Sequence, residues 1–248
     1  MEPAPHVKDV LILDVTRMDL GRICMAGVSR DETQTLNNIR PVVPFKNLTR
    51  EFLNQSGITP YSVVRFNFSK AVGVRPHVED FAFDFQNPSS FVIIRKCGAK
   101  VVKPILEETH KKTPAGIFGE HLIDNKFVYR GDPGCSLGCL KANRVSNVWL
   151  EYEDRIRIRF ALDFDQGQAT YTSNELKLIS WIQSKLKTGV SGTSIIDELK
   201  ERLRQFEPLH VRLGLTRPFR SDTDQDPDPR EKCYAQILGI HTFPDYLA

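Results

Sequence analysis

The apolar residues of this chain fall in short runs rich in Val, Ile, Phe and Tyr, and turn residues or prolines close most of them. Residues 7–15, 22–28, 61–68, 143–151, 154–162 and 233–240 all read as strands of this kind. Only residues 173–206 carry apolar positions at helical spacing: Leu176, Ile179, Ile182 and Leu186, then Ile196, Leu199, Leu203 and Phe206. Many short strands with one late helical stretch do not alternate strand and helix, which argues against a doubly wound parallel sheet. The pattern predicts a mostly β protein with α+β elements. Local signals add detail. The turn at Asp19, Leu20 and Gly21 makes a hairpin of the first two strands, and Pro41 and Pro44 mark residues 39–44 as an edge. Ser173 is expected to cap a helix reaching Lys187, and Asn47 a short one that ends before Gly57.

Composition narrows the class. The chain has 248 residues, of which 40% are hydrophobic and 26% charged, a globular balance with room for one large domain or two ordinary ones. No apolar run approaches the ~20 residues of a membrane helix, and the N-terminal residues lack the basic and apolar regions of a secretory signal. No membrane role and a cytoplasmic location are therefore expected. The net charge of +3 is too small to indicate nucleic acid unless the cations cluster on one face. The five cysteines do not suggest a disulfide framework. Cys135 and Cys139 are spaced as C-x3-C, but a zinc site needs two further ligands and only His121 is close in sequence. No glycine-rich dinucleotide or phosphate loop is present. No cofactor or metal is expected.

Two features suggest anion binding. The runs ending at Thr16-Arg17 and Thr216-Arg217 echo one another, as though two related β-units each delivered a hydroxyl and a guanidinium to a strand end. Arg40 and Arg217 precede prolines, which hold the backbone extended and fix where the side chain emerges. Arg17, Arg40 and Arg217 thus suit phosphate or carboxylate, or else satisfy loop carbonyls between the units. The second feature is Arg155, Arg157 and Arg159, alternating with Ile156, Ile158 and Phe160. On a strand the three Arg share one face and the apolar residues the other. With Trp149 or Tyr152 they would form a platform of charge and stacking. The plainer alternative is a solvated face whose Arg pair with Glu151, Glu153 or Asp154.

Other clusters point less clearly to chemistry. His77, Glu79 and Asp80 offer too few ligands for a metal and no identifiable partner for a catalytic base, so a hydrogen-bonded turn is expected. Residues 221–230 alternate Asp with other residues but lack the Gly and Glu of a calcium loop, and read as a hairpin loop. The apolar faces of the two helices suit core packing or a protein partner.

The residues 13–18, 21–28 and 39–41, together with 77–80, 214–219, 238–240 and 243–247, resemble those of the dual OB-containing domain family. The resemblance implies two tandem OB-like β-barrels: residues 1–103, and residues 104–248 with a helical insertion at 173–206. It also implies a prokaryotic protein tied to nucleic acid or to a defence or conflict system. The family supplies no catalytic residues. The expected function is binding of nucleic acid, single-stranded DNA or RNA, rather than catalysis. Arg155, Arg157 and Arg159 would meet phosphates, Trp149 would meet bases, and Arg17, Arg40 and Arg217 would line the junction. The alternatives are a protein-interaction subunit of a larger assembly and a small-nucleotide sensor or enzyme using His77, Glu79 and Asp80.

Overall fold

The computed structural model describes residues 6–43, 48–152, 155–220 and 228–248. They divide into two units. The first runs through Val74 and resumes at Val78–Thr109; the second takes Arg75–His77 and His110–Ala248. The division falls after Thr109 rather than after residue 103, because residues read as the charged start of a second unit form a helix of the first.

In the first unit β1 (His6–Arg17) and β2 (Arg22–Arg30) form the expected hairpin. They are followed by β3 (Leu36–Val42), β4 (Leu48–Thr49), α1 (Arg50–Ser56), β5 (Ser62–Phe68), β6 (Lys70–Ala71), β7 (Asp80–Ala82), β8 (Phe91–Lys96) and α2 (Ala99–Thr109). The strand order is β6-β7-β3-β2-β1-β5-β8, with β4 also on β2. Thr49 caps α1 by accepting from the Phe52 N–H, and Gly57 ends it in the left-handed region at φ 69°. The expected cap, Asn47, lies outside the described residues. Strand β3 is not an edge. Its residues Leu36 to Ile39 pair with β2 and its residues Arg40 to Val42 pair with β7, so Pro41 falls where no donor to β2 is required. Helix α2 buries Val102 and Leu106, one turn apart.

The second unit contains β9 (His110–Lys111), α3 (Pro114–Phe118), β10 (Phe127–Tyr129), β11 (Leu137–Ala142), β12 (Arg144–Tyr152), β13 (Ile156–Phe164), β14 (Gly167–Ser173), α4 (Leu176–Lys187), α5 (Gly192–Arg204), β15 (Leu209–Leu215) and β16 (Lys232–His241). Its order is β12-β13-β14-β16-β15-β11-β9, with β10 also on β16. The protein is therefore mostly β, with one sheet per unit and the two late helices in the second. Each sheet is a path with two ends, and no pairing among the described residues joins those ends, so neither closes into a barrel. The β6 and β9 ends are two residues long, too short to carry a closing ladder.

The two helices are spent on the core. Leu178 and Ile182 of α4 and Ile195, Leu199 and Leu203 of α5 are buried in the cluster that holds Phe160, Leu162 and Tyr171, and Ile179 of α4 is buried as well. Helix α4 begins at Leu176, not at Asn174: Asn174 donates backbone and side-chain N–H groups to β16, and Glu175 turns inward. The Glu175 carboxylate accepts from the Ile240 N–H at 3.1 Å and the Tyr246 O–H at 2.9 Å, which ties the C-terminal segment to β16 and α4. Burial pushes its pKa above the ordinary 4.5, against the opposing pull of Lys177 and His241. A raised folded-state value means the associated stability is fully present below pH ~4.5 and is lost as pH rises through the folded pKa. Glu175→Gln should remove that loss: its melting temperature relative to the parent should rise between pH 4.5 and neutrality, measured by calorimetry across that range.

Candidate nucleic-acid interface

Strand β13 alternates as its sequence predicts. Ile158, Phe160 and Leu162 point into the core at 1%, 0% and 0% exposure. Arg157 and Arg159 therefore lie on the other face, half-buried, and Arg155 stands exposed one residue before the strand. The pairing with β12 sets Trp149 opposite Arg159 and Glu151 opposite Arg157, while Thr172 of β14 faces Arg159 from the other side. Directly opposed side chains in an antiparallel pair sit within ~5 Å at Cβ, so these residues share one surface. Trp149 is 39% exposed although Val148 beside it is buried. Of the four residues that the sequence sets together, Trp149, Arg157 and Arg159 share this face by their register, while Arg155 precedes the strand.

The face is partly neutralised. Arg159 Nη2 lies 3.2 Å from Glu151 Oε2, so the alternative in which Glu151 supplies a counter-ion holds for one of the three Arg. Glu153 and Asp154 lie outside the described residues. Four residues further along β13, Asp163 binds Arg144 and the Gln168 amide, and the Arg144 hydrogen bond holds its carboxyl below the ordinary range. Carboxylates thus engage Arg159 within the face and Arg144 near its far end.

The strand-end Arg are divided between the two units. Arg17 closes β1 and Arg40 lies in β3, both in the first unit; Arg217 follows β15 in the second. Arg40 is 4% exposed, and its Nη1 donates to Asp80 Oδ1 at 3.2 Å while its backbone N–H donates to the Glu79 carbonyl. It is a buried ion pair joining β3 to β7 and presents no surface to a ligand. That pairing also takes Asp80 away from any acid–base role with His77 and Glu79. Arg217 is exposed and Arg17 half-buried. The threonines of the echo are structural: the Thr16 hydroxyl donates to the Cys24 carbonyl of β2, and Thr216 accepts from the Tyr234 N–H of β16.

The five cysteines are free thiols; Cys139 and Cys233 are buried, and burial pushes the Cys233 thiol up to about 11. Cys135 donates to the Ile117 carbonyl at 2.9 Å. Of residues 221–230, only 228–230 are described; there Arg230 binds Asp228 and Asp132. Among the described residues no helix is long and apolar enough to cross a membrane. Sequence reading did not single out Thr172, which reaches the face of Trp149 and Arg159 only through the pairing of β14 with β13.

No family model matches the chain, and no curated protein matches it. The resemblance to the dual OB-containing domain family therefore rests on the residues quoted for it. Among solved structures the chain is similar to the tetrameric p202 HIN2, at 12% identity over 96% of this chain and 95% of that one, with a TM-score of 0.35. It is similar to the p204 HINb domain at 12% identity over 95% and 98%, TM-score 0.36. A murine DNA binding protein bound with double-stranded DNA matches at 13% identity over 94% and 92%, TM-score 0.32.

The buried Arg40–Asp80 pair makes a sharp expectation. Removing one partner of a buried ion pair costs about 3–5 kcal/mol. Asp80→Ala should lose about that much in urea denaturation, whereas replacing both residues with apolar ones should recover most of it.

Proposed function

We propose that this protein binds nucleic acid through the outer face of β12, β13 and β14. The observation that carries the reading is the opposition of Trp149 and Arg159, with Arg157 and Arg155 continuing the same surface. Arg supplies a permanent, forked charge for phosphate, and a half-exposed indole supplies a face for a base. Side chains on one face of a strand recur every ~6–7 Å, close to the spacing of phosphates along a strand of nucleic acid. Glu151 is the competing anion; phosphate would take its place beside Arg159. A binding role needs no catalytic group, and the one carboxylate pair once open to chemistry, Glu79 and Asp80, is buried, with Asp80 engaged by Arg40. Single-stranded DNA or RNA is the ligand this flat, charged and aromatic surface suits best. A place in a prokaryotic defence assembly in the cytoplasm is consistent with such an activity and is part of the same proposal. The helix faces once offered to a protein partner lie in the core, which favours nucleic acid over the protein-interaction alternative.

The test is a salt titration with labelled single strand and duplex. Binding should weaken steeply as salt rises, because each neutralised phosphate releases counter-ion. Reversing Arg155, Arg157 and Arg159 to Glu should cut the magnitude of the log–log slope by about 2 for a single strand. An unchanged slope and affinity in the triple variant would refute this face as the phosphate site.

A further inference from the structure

The outer face of β12, β13 and β14 presents more than charge and an indole. The pairings of β13 set Trp149 opposite Arg159 on one side and Thr172 opposite it on the other. A ring, a guanidinium and a hydroxyl therefore stand in one row across three strands, each about 5 Å from the next at Cβ. The adjoining row on the same face holds Asn147, Ala161 and Thr170. Phe160 and Leu162 beside Ala161, and Ala169 and Tyr171 beside Thr170, take the core, so Ala161 and Thr170 face outward. Ala161 contributes only a methyl, and no long side chain of β13 stands between Arg159 and Thr170.

The polar groups of this face differ in whether they are already engaged. Toward the turn between β13 and β14, the Gln168 amide donates to Asp163 and to the Ser146 hydroxyl, and Arg144 donates to the same Asp163. Those groups satisfy one another. Thr170 is exposed and Thr172 half-buried, and among the described residues neither hydroxyl takes part in a hydrogen bond. Each can donate and accept. Of the parts of a nucleic acid that follow a phosphate along the chain, the ribose of RNA carries a hydroxyl that also donates and accepts, and the sugar of DNA does not. With a base on Trp149 and a phosphate on Arg159, the next sugar comes to the threonine side of the row.

We propose that Thr170 and Thr172 read the ribose 2′-hydroxyl, so that this face selects single-stranded RNA over single-stranded DNA. The inference rests on the nucleic-acid reading above and names its ligand. Threonine suits a strand whatever it meets, because its branched Cβ packs well on a pleated surface. Its hydroxyl, not its shape, is therefore what must be tested, and valine removes the one while keeping the other.

The experiment uses the full chain with fluorescein-labelled oligouridylate and oligodeoxyuridylate of equal length, which differ only at the 2′ position, read by anisotropy across a range of salt. The ribo strand should bind about fivefold tighter, the scale of one hydrogen bond. Combining Thr170→Val with Thr172→Val should bring the ribo strand down to the level of the deoxy strand, whose affinity and salt slope should match those of the unaltered protein. Combining Thr170→Ser with Thr172→Ser, which restores the hydroxyls, should keep the preference. Equal binding of the two strands by the unaltered protein overturns the proposal while the phosphate face stands. So does a valine variant that keeps the preference, or one that loses both strands in equal proportion, which is the mark of a phosphate contact. If the unaltered protein binds neither strand at low salt, the nucleic-acid reading falls and the ribose contact with it.

Discussion

The second unit depends on which way β13 faces. Its two neighbours, β12 and β14, pair along nearly its whole length, and Ile158, Phe160 and Leu162 plug the core beneath α4 and α5. Because side chains alternate, a slip of one residue would exchange those three for Arg157, Arg159 and Ala161, or for Arg159, Ala161 and Asp163. Either set buries two ionisable groups without designed partners, at a cost of several kcal/mol, so the register has no near competitor. The basic surface is thus the reverse side of a packing requirement. The same apolar positions that fold the unit also decide where its cations emerge.

What could be read from the chain follows from how local the signal was. The alternation read at residues 154–162 appears over Ile156–Phe164, and the helical spacing after residue 173 appears in α4 and α5; both are local patterns. Helix α2 was missed because only Val102 and Leu106 of its residues are buried, Pro104 lies in its middle, and most of the rest is exposed. The edge assigned to β3 failed because a strand can change partners along its length, which prolines alone do not reveal. The site divided in the same way. Trp149, Arg157 and Arg159 were legible because they lie on two strands of one hairpin. Arg40 looked like a surface anion receptor until Asp80, 40 residues away, was seen to occupy it. Thr170 and Thr172 were illegible because their place beside Arg159 depends on the pairing of β14 with β13.

Charge placement separates scaffold from surface in this fold. Arg40 and Glu175 are ionisable groups held inside by specific partners, and each fastens a segment that packing alone would leave loosely attached: the short β7 for the first, the C-terminal segment for the second. The cations proposed to meet ligand are at the surface, where water already solvates them and exchange of one anion for another is cheap. Glu151 marks the transition between the two uses. It is near enough to Arg159 to order the side chain and exposed enough to yield it.

The join between β14 and β16 has a mechanical meaning. A single residue pair, Ser173 with Ile237, links those strands, whereas their other neighbours pair over many residues. The sheet is less a plate than two ribbons sewn by one stitch. The Arg face lies wholly on the ribbon of β12, β13 and β14. Bending of one ribbon against the other would be resisted at that seam by the Ser173–Ile237 pair and the two Asn174 hydrogen bonds beside it, not by a long ladder.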